Sequence, residues 1–158
     1  MPDKPLMHAR DAVYGSEAKC FVTIDERRMN FMHFTNFEGK VTINKQQVPI
    51  LGKVGFGSKA AGMSGTWTAT AHFNQSHFRA IAEVYQRTGV MPYFEIQVTN
   101  EDRTATVGRQ TVIFHDCLVT DDIVLAKFEA GDSLLTEDIS GTFEYFSIPQ
   151  KFEDLEGL

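Results

Sequence analysis

The side chains best suited to chemistry are five histidines, two cysteines and the paired carboxylates Glu101-Asp102, Asp121-Asp122 and Glu137-Asp138. His115-Asp116-Cys117 sets an imidazole, a carboxylate and a thiol in a row. On a strand, His115 and Cys117 would share one face and Asp116 would take the other. A thiol nucleophile needs a base that reaches it from another element, so this run alone makes no nucleophile site. His72 and His77 lie five apart across a strand–helix junction and share no helix face; His8 and His33 stand alone. Glycosidase carboxylates must converge across a cleft, which adjacency in sequence does not show; turn formation and solvation explain the three pairs. Two cysteines make neither a disulfide framework nor a zinc site, and neither EF-hand spacing nor His-Glu-x-x-His occurs. The expectation is no catalytic residue, no metal and no cofactor.

Gly52-Lys-Val-Gly-Phe-Gly57 looks at first like a phosphate cradle. A Walker loop ends in Gly-Lys-Ser/Thr and opens a helix, and a dinucleotide fingerprint needs strand, turn and helix. Here Ser58-Lys59-Ala60-Ala61-Gly62 follows, and then a strand pattern. Nucleotide binding is not expected. Five glycines fall within 48–65, at 52, 55, 57, 62 and 65. Lying between two strand patterns, this stretch reads as a long flexible loop or an extended hairpin.

The elements around it are mostly strands. Residues 1–14 hold two prolines and mixed charge with no clear period, and read as an arm. Lys19–Ile24 is rich in β-branched and aromatic types. Asp25-Glu26 can turn the chain. From Arg28 to Ile43, Phe31, His33, Thr35 and Phe37 recur at even spacing, continued by Val41 and Ile43. That predicts one long strand, or two joined near Glu38-Gly39. Thr66–Phe73 alternates cleanly, with Trp67, Ala69, Ala71 and Phe73 on one face. One helix is expected over about 76–88. Asn74 and Ser76 can cap it, and Phe78, Ile81, Ala82 and Tyr85 form an apolar stripe. Arg79 and Glu83 can pair at i, i+4. Gly89 and Pro92 stop the helix. Strand character returns at 93–99, 109–119, 123–128 and 140–148, with a polar turn at 100–103. The acidic tail 149–158 reads as loose. Short connections make the seven or eight strands mostly antiparallel. The architecture expected is mainly β: an antiparallel sandwich or barrel with one flanking helix.

A chain of 158 residues with 42% hydrophobic and 23% charged residues is sized for one domain with a real core. No window approaches the ~18 apolar residues of a membrane helix, and the start has no apolar stretch suited to a secretory signal. Synthesis in the cytoplasm is the expectation. The net charge of −6 excludes a basic nucleic-acid footprint. It is unevenly spread: residues 1–60 carry nine basic and six acidic side chains, residues 61–158 six and fifteen. Such asymmetry suits either solvated loops or two complementary faces that attract copies of the same chain.

The ordered segments resemble the tail tube proteins of the PBSX-type prophage family, over about 15–152. The likeness runs through Gly15-Ser-Glu-Ala-Lys-Cys-Phe-Val-Thr-Ile24, a charged turn and a strand ending near Phe37-Glu38. It continues through Gly62-Met-Ser-Gly-Thr-Trp-Thr-Ala-Thr-Ala-His-Phe73, the capped helix, Pro92-Tyr93-Phe94 and Gly141-Thr-Phe-Glu-Tyr-Phe-Ser-Ile-Pro-Gln-Lys151. The resemblance implies one tail-tube domain over 1–158. Its copies would close into hexameric rings, with inner sheets joined in one β-barrel and rings stacked into a hollow tube. It implies a sheath, tape-measure, baseplate and tail-terminator proteins as partners, DNA or effectors passing through the bore without specific binding, and no membrane insertion. The protein would be found in the tail of a virion or phage-like particle assembled in the bacterial host cytoplasm. Within that frame Lys53, Phe56, Lys59 and Met63 are the candidates for ring-stacking contacts. A small monomeric β-barrel that binds a ligand, and a hydrolase using His115 or the carboxylate pairs, are the competing readings.

Overall fold

The computed structural model describes residues 8–13, 18–24, 27–30, 34–74, 76–131 and 134–154. The expected turn at Asp25-Glu26, the positions Phe31 and His33, and the outermost parts of the arm and tail lie outside the described residues. Eight strands and one helix follow one another as β1 (Ala18–Ile24), β2 (Arg27–Asn30), β3 (Phe34–Pro49), β4 (Phe56–His72), α1 (His77–Thr88), β5 (Phe94–Glu101), β6 (Arg109–Val119), β7 (Thr136–Phe143) and β8 (Tyr145–Gln150). Every pairing is antiparallel.

The strands run β2-β1-β5-β6-β7-β4-β3, with β8 also on β6. β6 belongs to two sheets. Its first part pairs with β5 and β8, and Leu118 and Val119 pair with Thr142 and Gly141 of β7. The change of sheet falls at Asp116, the described non-glycine residue with a left-handed backbone (φ 53°). Aspartate tolerates that region better than most residues. Beside it the β5–β6 register slips between Phe94 and Ile96, as a bulge requires. β7 and β8 turn the same corner at Glu144, so the predicted strand over 140–148 is two. No side chain fits where β6 crosses: a Cβ on Gly141 would lie 1.8 Å from the Leu118 carbonyl oxygen.

The core lies between the two sheets and α1. Val22, Trp67, Ile96, Cys117 and Ile139 are fully buried, and Phe78 and Ile81 bring in the helix. Trp67, 1% exposed, stacks on Phe37 (6.2 Å, 15°) and takes the edge of Phe94 (5.9 Å, 78°). The even spacing in β4 thus reports its inward face correctly.

Several expectations need correction. β3 runs unbroken through Glu38-Gly39; Gly39 is there because the Phe114 ring occupies the space of its Cβ, 2.5 Å away. Of the two readings of the glycine-rich stretch 48–65, the extended hairpin holds and the long loop does not. Only 50–55 connect the strands, and the rest is hairpin ladder. Residues 123–128 form no strand, because the chain there spans the sandwich end with backbone contacts to other elements. Ser76 occupies the N-cap without a side-chain hydrogen bond, and Tyr85 is exposed. The tail is tied at least to Glu153, whose N–H donates to the Val107 carbonyl (2.8 Å). The arm is tied at 8–13, where Thr106 N–H donates to Arg10 O (3.0 Å) and the Thr106 hydroxyl to the Asp11 carboxylate.

Trp67→Ala should lower stability by about 3–5 kcal/mol, while Trp67→Phe, which keeps the stacking, should cost less. Gly141→Ala should also destabilise, by roughly 1–3 kcal/mol or more, since neither backbone can yield easily. Urea unfolding of the three variants checks the order.

Candidate assembly interface

The hairpin of β3 and β4 is longer than the body it grows from. Partners across an antiparallel ladder share a face. Phe37↔Ala69 and Gly39↔Trp67 face the core, so Val41↔Gly65 and Ile43↔Met63 continue that same face outward. The core face therefore runs out of the sandwich apolar at Val41, Ile43 and Met63, is interrupted by Lys45 and by Gln47 opposite Ser58, and turns apolar again at Pro49 and Phe56. Ile43 is 63% exposed, Met63 50% and Phe56 66%, with Leu51 and Val54 fully exposed at the turn. From Val41 to Pro49 the arm projects roughly 30 Å at ~3.3 Å per residue.

Turn chemistry shapes the arm. Lys53 N–H donates to the Ile50 carbonyl (3.2 Å) across Leu51-Gly52, and Gly52 has φ 84°. A type II turn requires such a residue at its third position. Lower down, one residue of β3 opposes two of β4 between Ile43↔Met63 and Lys45↔Ala60. Gly62, at φ 104°, sits in this bulge, which bends the arm.

The four candidate contact residues all fall on this arm. Lys53 is in the turn; Phe56, Lys59 and Met63 are on β4. They do not form one patch. Phe56 pairs with Pro49 and Met63 with Ile43 on the apolar face, whereas Lys59 pairs with Gln46 on the opposite one. Residues 40–66 hold Lys40, Lys45, Lys53 and Lys59 and no carboxylate.

The other face of the β3–β4–β7 sheet is polar. There a 620 Å³ cleft is lined by Asn36, Glu38, Thr70, Asp121, Asp122 and Asp138, among others, with four carboxylates and no lysine or arginine. The Thr70 hydroxyl donates to Asp138 Oδ1 (2.7 Å), and Ser140 donates to Asp121. Two of the carboxylate pairs thus contribute to one acidic surface. Glu137 instead is buried and bound by Arg79 (2.8 Å). Arg79 also donates to the Val124 carbonyl (3.1 Å) and stacks on Phe73 (4.3 Å). It is a clamp between α1, β7 and the 121–135 segment, and does not serve the expected pair with Glu83.

His115 has partners that its sequence neighbours do not suggest. Its Nδ1 lies 3.0 Å from Glu95 Oε1 and its Nε2 2.9 Å from Ser147 Oγ, with Tyr145 stacked on the ring at 4.5 Å. A serine–histidine–carboxylate chain is assembled from β5, β6 and β8, which linear spacing could not reveal. Its serine sits within the β6–β8 ladder, on a flat sheet face, rather than on a strained turn beside a helix N-terminus. The arrangement ties three strands together. Cys117 is fully buried, its Sγ donating to the Phe114 carbonyl (3.4 Å). Burial pushes the Cys117 and Cys20 thiols up to about 12, so neither is a thiolate near neutrality. Among the described residues no cluster of three or more potential ligands could hold a metal.

Residues 6–150 match the family described as phage tail tube protein. The phage-like element PBSX protein XkdM of Bacillus subtilis (strain 168) is 30% identical over 148 residues, 94% of this chain and 97% of the relative. The uncharacterized protein YqbM of the same strain is 30% identical over 147 residues, 93% and 97% of the two chains. Among solved structures, a chain of the anti-feeding prophage tube-terminating cap superposes with a TM-score of 0.67 at 9% identity, over 94% of this chain and 96% of that one. A chain of an extracellular contractile injection system sheath–tube complex gives 0.61 at 9% identity over 82% and 87%. A chain of the tail of a gene transfer agent particle, refined with C6 symmetry, gives 0.56 at 12% over 88% and 100%. These structures share the fold.

Arg79→Ala leaves the buried Glu137 unpaired and should cost about 3–5 kcal/mol, and replacing both by methionine should recover much of it. Chemical denaturation reads both. Native protein should resist thiol reagents at pH 8 and label at Cys20 and Cys117 only when unfolded; rapid native labelling would contradict their burial.

Proposed function

Because this chain belongs to the phage tail tube protein family, we propose that its copies close into six-membered rings which stack into the hollow inner tube of a contractile tail. The observation that carries the proposal is the arm: exposed apolar groups on the continuation of the core face, at Ile43, Met63 and Phe56, that no element among the described residues covers. Open edges support it. Among the described residues β2, β3 and β8 are each paired on one side only. A long open edge invites pairing with another chain, and closing a ring of identical copies removes it. A stacking contact is head-to-tail and therefore propagates into a filament.

The acidic cleft beside Glu38 and Asp138, which no lysine or arginine lines, suits the wall of a conduit, with Lys40 and Lys59 further out on the same sheet face. DNA adheres to proteins through lysine and arginine on its phosphates, and a stretch of wall without them lets it slide. Structures with this fold come from a sheath–tube complex, a baseplate and a tube-terminating cap. Corresponding partners, with a tape-measure protein, are proposed for this chain. So is assembly in the bacterial host cytoplasm into a virion or phage-like tail. Lys53, Phe56, Lys59 and Met63 are proposed to contact neighbouring subunits through the arm. The chain performs no reaction in this reading.

Negative-stain microscopy of the purified protein, alone and with tail partners, should show rings or tubes about ten nanometres wide or slightly less, from about six such domains around a bore. A species that stays monomeric at every concentration and beside those partners would overturn the proposal. Replacing residues 46–59 by Asn-Gly should preserve the melting temperature and abolish long tubes. Normal tubes from this shortened chain would remove the arm from the assembly.

A further inference from the structure

The chain carries a second exposed apolar surface, and the topology sets it at the opposite end of the molecule from the arm. The β4–β7 ladder runs from Gly65↔Phe143, where the arm leaves, to His72↔Thr136. At that far end lies the segment between β6 and β7. It is held by Arg79 on the Val124 carbonyl (3.1 Å), by Lys127 Nζ on the Thr136 carbonyl (2.9 Å), and by Phe73 N–H on the Leu135 carbonyl (3.0 Å). Ile123 turns inward to the core. Leu125, Phe128 and Leu134 turn out, 69, 95 and 80% exposed. Apolar groups this bare, on a segment held by two of its carbonyls and by the Lys127 side chain, mark a contact surface.

Charge indicates what covers it. Residues 121–138 hold one lysine and six carboxylates, of which Glu137 is buried against Arg79, whereas residues 40–66 hold four lysines and no carboxylate. Both surfaces are apolar, and they carry opposite charge. Lying at opposite ends of one sheet, they cannot meet within a molecule but can meet between two copies placed end to end. Such a contact uses two different patches, so every copy keeps one of each free for the next. Electrostatic complementarity would steer the encounter and fix its direction.

We infer that the tip of the β3–β4 arm of one copy seats on residues 124–131 and 134–135 of a copy in the adjoining ring, with Phe56 and Val54 against Leu125, Phe128 and Leu134. The inference rests on the tube reading above and names the receiving surface for the arm. Glu129, exposed beside Phe128, receives the arm lysines.

Cysteine pairing across the contact tests it. The variant Phe56→Cys/Phe128→Cys, assembled and then oxidised, should give a ladder of covalently linked chains on a non-reducing gel. Each chain offers one donor and one acceptor site, so the products extend beyond dimers. Either single variant should give none, and buried Cys20 and Cys117 stay silent. Tubes that form without the ladder overturn this inference and leave the tube reading intact; failure of the unaltered chain to form rings or tubes overturns the reading itself. Should the cysteines hinder assembly, Leu125→Ser/Phe128→Ser decides. Both positions are exposed, so the melting temperature should hold. The concentration needed for stacking should rise by more than about tenfold, the equivalent of ~1.4 kcal/mol lost. An unchanged stacking threshold overturns the inference.

Discussion

The inward face of the β3–β4 hairpin does not stop where the sandwich stops. Phe37, Trp67 and Ala69 spend it on the core, and two residues further on Val41, Ile43 and Met63 present it to water. Residues facing one side of a ladder recur every second position, so the stripe cannot be redirected without a bulge. The bulge at Gly62 bends the arm but does not hide its face. Water contact with such a stripe is unfavourable, at roughly 25 cal/mol per Å² of apolar surface. The remedy available to this chain is contact with other molecules.

The rest of the fold holds that arm at a defined angle. β6 changes sheets at Asp116 and brings β7 against β4, so the base of the hairpin is fixed between the two halves of the core. Gly141 permits the crossing by letting the Leu118 carbonyl approach. At the far end Arg79 joins α1, β7 and the 121–135 segment in one polar network around buried Glu137. A rigid body with different surfaces at its two ends is what propagating assembly requires. The Glu95–His115–Ser147 chain belongs to this scaffolding as well: it links β5, β6 and β8.

Much of this was legible in the residues. Alternation in 66–73 identified the buried face of β4, and the spacing of Phe78 and Ile81 located α1 to within a residue. The sequence pattern also marks 48–65 as unusual, yet glycine density leaves a loop and an extended hairpin equally open. In the fold those glycines serve a turn at 52 and a bulge at 62 within a paired ladder, and long-range pairing is not encoded in local composition. The 123–128 run has β-branched and aromatic residues but no strand; the Val124 carbonyl accepts from Arg79, and further along the same connection the Leu135 carbonyl accepts from Phe73 N–H. Arg79 itself was assigned a neighbour on its own helix. Its true partner, Glu137, is 58 residues away. The three strands that gather around His115 were equally out of reach of any spacing rule.

Amide hydrogen exchange, followed by mass spectrometry on the free chain and on assembled particles, tests most directly whether identical neighbours cover the arm. The amides of 41–48 and 56–65 are expected to exchange much more slowly in the particle, while those of the Trp67–Ile96 core change little. Equal exchange of the arm in both states would contradict the account, since the stripe that defines the molecule would then remain in water after assembly.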